Sequence, residues 1–121
     1  MATYNIHRSR GLDRRTRPER IAAVLATIDP DIVALQEVVG PGLAGPGHAA
    51  QLGAALGMGW VMAPTRELGR HQFGNVVLSS YPIREHAQID LSWKTCEPRG
   101  SQRVAIDLGS ETCLQVYNVH L

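Results

Sequence analysis

The sequence predicts an α/β (α+β) fold, and three observations carry that expectation. The first is a strand-like segment, ATYNIH at 2–7, followed by a helical pattern and then by the apolar run DIVALQE at 31–37. Strand, helix and strand in so short a span make a βαβ-like unit. The second is the continuity of that apolar run. A strand with no polar alternation suits a sheet covered on both faces. The third is a pair of alternating segments, 103–108 and 113–120, separated by Gly109-Ser110, which read as a hairpin.

The elements follow in order. RSRGLDRRTR is a polar loop. Pro18 stands where the first turn of a helix accepts it. Ile21, Val24, Leu25 and Ile28 then recur at helical spacing. Asp29-Pro30 ends the helix, because the residue before proline resists the α region. Residues 40–47, GPGLAGPG, read as loop. A short helix over 49–56 stops at Gly57. A strand at 60–63, a loop over 64–72 and a strand at 73–80 come next, broken by Tyr81-Pro82. Residues 83–89 alternate weakly, and SWKTCEPRGS is irregular.

Bulk properties bound the possibilities. With 121 residues, 44% of them hydrophobic, the chain suits one small domain with a real core. A net charge of +1 casts no vote on nucleic acid. Its distribution says more: Arg8, Arg10, Arg14, Arg15, Arg17 and Arg20 share one short stretch, and arginine favours bidentate phosphate contacts. The bland alternative is a solvated loop and helix face. Cys96 and Cys113 form no CxxC pair and have no histidine at zinc spacing, so a reduced, cytoplasmic protein is expected. No apolar run approaches the roughly 20 residues that cross a bilayer, and MATYNIHRSR has no signal-peptide core.

A few residues stand where chemistry is expected. Asn5 and Glu37 fall at the carboxyl ends of neighbouring strands, where sites of α/β sheets collect. A carboxylate there can hold Mg²⁺ together with waters and substrate oxygens; alternatively, Glu37 simply begins a loop. Asn75 follows Gly74 in a turn-like position. His120 ends the last strand, with Asn118 two residues back on the same face, and could serve as an acid–base partner or as an interior histidine. Glu97, Arg99 and Arg103 make a mixed-charge cluster that orients phosphate or closes on itself as a salt bridge. Of the other histidines, His48, His71 and His86 are read as surface and His7 as a neighbour of the site.

Taken together, TYNIH, PERIAAVLATIDPDIVALQEV, FGNVVLSSYPI, EPRGSQRVAID and YNVHL have an order and spacing that resembles the endonuclease/exonuclease/phosphatase (DNase I-like) family. The resemblance implies a Mg²⁺- or Mn²⁺-dependent phosphoester hydrolase, a phosphodiesterase, nuclease or phosphatase using in-line attack of water. It implies Glu37 as the principal metal ligand, with Asn5 near metal and phosphate. His120 would contact the scissile phosphate. Glu97, Arg103, Asn75 and His7 would support phosphate or position the site. The fold implied is the N-terminal half of a four-layer α/β/β/α sandwich, present as one mixed sheet with helices on one face.

The GDFN-type and SDH-type motifs of the family do not occur in these residues. The expectation is therefore a partial domain over 1–121, weakly active or inactive alone. The other reading is a catalytically dead remnant that grips metal and phosphate, or that self-associates. A sheet face left open over 2–7, 31–37, 74–79 and 113–119 would forfeit on the order of 10 kcal/mol, against a usual stability of about 5–15 kcal/mol. Self-association, a complementary C-terminal half or instability is expected to follow.

Overall fold

The computed structural model describes residues 1–121. Seven strands and two helices run in the order β1 (Ala2–Asn5), α1 (Pro18–Ile28), β2 (Ile32–Gly42), α2 (Gly47–Leu56), β3 (Gly59–Leu68), β4 (His71–Ser79), β5 (Ile83–Asp90), β6 (Gly100–Gly109) and β7 (Thr112–His120). Pro18 opens α1 and Asp29 closes it in the left-handed conformation, φ 51°. No helix is long and apolar enough to cross a membrane.

Two sheets form, where one mixed sheet was expected. The first has the order β1-β2-β4-β3, with β1 parallel to β2 and the other pairs antiparallel. The second is the antiparallel array β5-β6-β7. β4 is hydrogen-bonded on both sides, by β2 and β3, so the chain leaving it at Tyr81-Pro82 cannot pair back onto it. The last three strands pair among themselves instead.

The apolar run of β2 now has its explanation. Val33 and Leu35 face the helices, packing with Ile21 and Leu25 of α1 and Ala49 and Leu52 of α2. Ile32 faces the other way, joining Val77 of β4 and Val104, Ile106 and Val116 of the second sheet. Both faces of β2 and β4 are therefore buried, and the second sheet covers the open face expected over them, while Thr3 and Tyr4 of β1 stay exposed. The face left in solvent is the outer one of the second sheet, where Tyr117 is 60% and Val119 41% exposed.

Strand ends also differ from expectation. β1 stops at Asn5, and His7, Arg8 and Ser9 all turn into positive φ, at 46°, 59° and 57°. Residues 64–72 continue the β3–β4 hairpin rather than forming a loop. Pro64 is tolerated because β3 is an edge strand and the register shifts beside it. The β6–β7 hairpin forms, with Ser110 and Glu111 both at positive φ, as a two-residue primed turn requires.

Candidate functional site

The site begins with a defect in β2. Leu35 pairs with Val76 and Val38 with Gly74, so Gln36 and Glu37 together oppose the single residue Asn75. This is a β-bulge, and Glu37 occupies it at φ 55°. A non-glycine residue at positive φ is strained, by roughly 1–3 kcal/mol, and such strain gathers at functional positions. The charge at the end of the apolar run is thus not a strand tip. The strand runs on to Gly42, and the bulge turns one carboxylate out of the ladder. Next to it, opposite Val38, Gly74 is obligatory, since a Cβ there would meet Ala63 O at 2.2 Å.

Asn5 lies beside the bulge, because parallel register sets it against Gln36. Its Nδ2 donates to Glu37 Oε1 at 3.2 Å, and its Oδ1 accepts the His7 N–H at 3.1 Å. The second bond fixes the amide, since only oxygen can accept it. His7 Nδ1 lies 3.2 Å from Glu37 Oε2. From the second sheet, His120 Nε2 comes within 4.0 Å of Glu37 Oε1. Burial alone would raise the pKa of Glu37. The Asn5 hydrogen bond and the charges of His7 and His120 outweigh it and hold the carboxyl below its usual value. Glu37 is therefore ionised at neutral pH.

An ionised carboxylate at a partly open rim suits a hard divalent cation that keeps most of its waters, and Asn5 orients that carboxylate through Nδ2 while its Oδ1 accepts the His7 N–H. Three or more histidine, cysteine or acidic side chains do not gather anywhere at metal-binding distance, and Mg²⁺ does not need them. The chemistry of Glu37 fits such an ion, and it is the charged oxygen donor at this rim.

The remaining expected residues divide. Asn75 is buried and bridges the sheets, donating to Gly100 O and Asn118 O. Glu97 lines a pocket of about 20 Å³ with Glu37, Asn75, Arg99 and His120, room for about one water. Its two oxygens are taken by Arg66 at 2.8 Å and Arg99 at 2.9 Å. Arg103 does not support Glu97. It lies on the outer face of the second sheet, 3.4 Å from Glu85 and 3.4 Å from Gln115. Strand alternation explains this: Gln102 and Val104 point inward, so Arg103 points out.

Sequence reasoning missed a buried amide seam. Asn118 Nδ2 donates to Leu35 O, Val76 O and Gln102 Oε1, and Asn118 Oδ1 accepts from Gln36 Nε2 at 2.8 Å. Gln102 Nε2 in turn donates to Val61 O. These bonds lock the sheets in the register that sets His120 against Glu37. The available signal was an amide at an inward position of two alternating strands, in QRVAI and VYNVH. Arg66 was missed because it falls in a segment read as loop.

Two packed sheets backed by helices, with carboxylate, amide and imidazole meeting at one rim, define an α/β sandwich whose site is shared between its sheets. A sequence model of the Endonuclease/Exonuclease/phosphatase family matches residues 2–110, and the chain belongs to that family. Among solved structures it is similar to an endonuclease/exonuclease/phosphatase from Beutenbergia cavernae, with 27% identity and a TM-score of 0.73. That match covers 98% of this chain and 37% of the other. A mannosyl-6-phosphatase from Bacteroides thetaiotaomicron shares the fold at 19% identity and TM-score 0.70, with 98% and 50% covered. TDP2 from Caenorhabditis elegans does so at 23% and 0.69, with 98% and 34% covered. The chain thus spans half or less of the length of these three structures. No curated protein matches the sequence.

Proposed function

We propose that these residues form the metal- and phosphate-gripping half of a phosphoester hydrolase that uses Mg²⁺, with Mn²⁺ suiting the same donors. The observation that carries the reading is the bulge. A strained, ionised Glu37 is held between Asn5 and His120 at a rim open to solvent. A divalent ion bound there would supply polarisation of a phosphoryl oxygen. Glu37 would provide its charge, and Asn5 would orient the carboxylate through Nδ2 while offering Oδ1. His120 would donate a hydrogen bond to a phosphate oxygen as negative charge builds on it. His7 stands exposed beside the same carboxylate. The family membership and the phosphatase among the similar folds support a phosphoester substrate.

No water-activating carboxylate accompanies this set. Asp107 is engaged by Arg84, Asp90 is capped by the Ser92 amide, and Asp31 begins the far end of β2. We infer that residues 1–121 correspond to the N-terminal part of the family domain, and that activation of water belongs to residues outside them. The exposed Tyr117, Val119 and Ile89 on one sheet face favour a cover, either a complementary C-terminal half or a second copy of the chain. The free thiols Cys96 and Cys113 suit a reducing compartment, so a cytoplasmic location is part of the same reading.

The test has two readouts. Mn²⁺ binding, followed by loss of the free-ion paramagnetic resonance signal, should be present in the chain and absent in Glu37→Gln. Any Mg²⁺-dependent cleavage of bis(p-nitrophenyl) phosphate should fall by about 10²-fold or more in that variant. Retained binding and turnover would overturn the metal assignment.

A further inference from the structure

The arginine-rich stretch takes no part in the site described so far, yet its backbone is tied to it. His7–Ser9 makes a left-handed turn immediately after Asn5, and its first N–H is the one bound by the Asn5 side chain. Beyond the turn the chain closes back on itself. Arg10 bridges to Thr16, and Arg17 N donates to Ser9 O at 2.8 Å. Arg10 and Arg17 thereby stand on successive rungs of a braced loop, and both line one groove. Arg10 is braced further, its Nε donating to Arg14 O.

This loop, β1 and α1 enclose a groove of about 210 Å³, lined by Asn5, His7, Ser9, Arg10, Arg17 and Arg20 among others. Its charge is unbalanced. Asp13 pairs with Arg20 at 2.7 Å, and Glu19 acts on Arg20 from the helix. Arg17 lies close enough to help hold the Asp13 carboxyl below its usual value, but it makes no ion pair, and neither does Arg10. An independent feature lies in the same wall. Ser9 is only 4% exposed, and its Oγ has no hydrogen-bond partner. A buried hydroxyl left unmatched destabilises the fold. The hydroxyl can donate to an acceptor, and two guanidiniums with no carboxylate partner beside it, Arg17 and an Arg10 held only through Nε, specify a negatively charged one.

We propose that Ser9, Arg10 and Arg17 form a binding pocket for a second phosphate group of the substrate, adjoining the Asn5–Glu37 site. This rests on the phosphoester reading above and narrows it to substrates that carry another phosphate next to the reacting one. The Ser9 hydroxyl and the two guanidiniums donate to its oxygens. Asn5 and His7, which line both the groove and the metal rim, set the distance between the two phosphates. Such a ligand is either a nucleotide or a phosphorylated sugar.

The pocket can be tested apart from the metal. Inorganic phosphate titrated into the metal-free chain, followed by ¹⁵N–¹H spectra, should give saturable shifts at Ser9, Arg10 and Arg17. Arg10→Gln/Arg17→Gln should weaken binding at least ten-fold with an unchanged melting temperature, whereas Glu37→Gln should leave it intact. Ser9→Ala should weaken binding while keeping or raising stability, because it removes an unmatched polar group. Loss of stability in Ser9→Ala would mean the hydroxyl serves the fold, and would overturn the proposal. So would the absence of shifts, or shifts abolished by Glu37→Gln and unaffected by the arginine pair.

Two comparisons then identify the source. Thymidine 3′,5′-bisphosphate against its 5′-monophosphate, and a hexose 1,6-bisphosphate against its 6-phosphate, should show a gain of at least ten-fold in one series. That gain should vanish in the arginine double variant. No gain in either series would overturn a second-phosphate role. Loss of Mn²⁺ binding with the phosphate shifts intact would count against the metal reading alone.

Discussion

The two sheets share one site but are built on opposite terms. The first is buried on both faces along its central strands β2 and β4, by α1 and α2 on one side and the second sheet on the other. In β4 every residue from Phe73 to Ser79 is buried. The second sheet is buried on one face only and leaves Tyr117 and Val119 in solvent. The fully covered sheet contributes the strained carboxylate, and the half-covered one contributes an imidazole at a strand end. A buried strand admits a charge only through a bulge that expels it from the ladder. A half-exposed strand delivers a polar side chain by simple alternation. The amide seam makes the two one site.

Breaking the seam should therefore have the largest effect. Asn118→Leu takes this donor from three acceptors, each worth about 1–3 kcal/mol when buried, and leaves the Gln36 amide only Thr3 Oγ1 and Ala34 O. We expect a loss of about 3–6 kcal/mol by urea denaturation. A loss under about 1 kcal/mol would mean that apolar packing alone holds the sheets together.

Next come the cores on either side of the first sheet. Leu78→Ala opens a cavity toward the helices, and Ile106→Ala opens one between the sheets. Each should cost about 2–5 kcal/mol. Equal values would show two cores of comparable tightness. A much smaller cost for Ile106→Ala would mark the second sheet as the looser layer.

The pH dependence separates the same layers more gently. His48 on α2 is held below its ordinary value of 6.5 by burial first, then by the charge of His71. His86 on β5 is held below it by burial. Their neutral forms are favoured in the fold, so the stability they contribute is complete above pH 6.5. It is lost as pH falls from there toward their lowered folded values. Glu37 is likewise lowered, from 4.5, and its contribution disappears only further down, as pH falls through its folded value. The melting temperature should decline in two stages, and His48→Gln should flatten the first. A melting temperature flat from pH 7 to pH 5 would contradict this.

The smallest effect is expected on the open face. Tyr117→Ser should change stability by no more than about 0.5 kcal/mol in dilute solution. A larger loss that depends on protein concentration, seen by sedimentation velocity, would place a second copy over that face.

Much of this architecture was legible from the sequence. Helix α1 announces itself through Pro18, the spacing of Ile21 and Leu25, and Asp29-Pro30. The final hairpin does so through alternation around Gly109. Asn5 and Glu37 were singled out by position and resemblance, and they lie in contact. What stayed hidden depends on partners distant in sequence. Residues 64–72 carry a proline and polar residues that read as loop until β4 supplies the ladder. Arg103 shares a cluster with Glu97 in sequence, but its strand turns it to the opposite face.

Local chemistry in the chain determined the elements: where helices start and stop, which strands are apolar throughout, and which turn residues reverse them. Those rest on φ preferences and side-chain periodicity acting over a few neighbours. Tertiary structure alone decided that β4 pairs on both sides, that the last three strands form a second sheet, and that a bulge would lift Glu37 toward Asn5 and His120. Hydrogen-bond edges, burial and register are set between segments far apart in the chain, and no local pattern contains them.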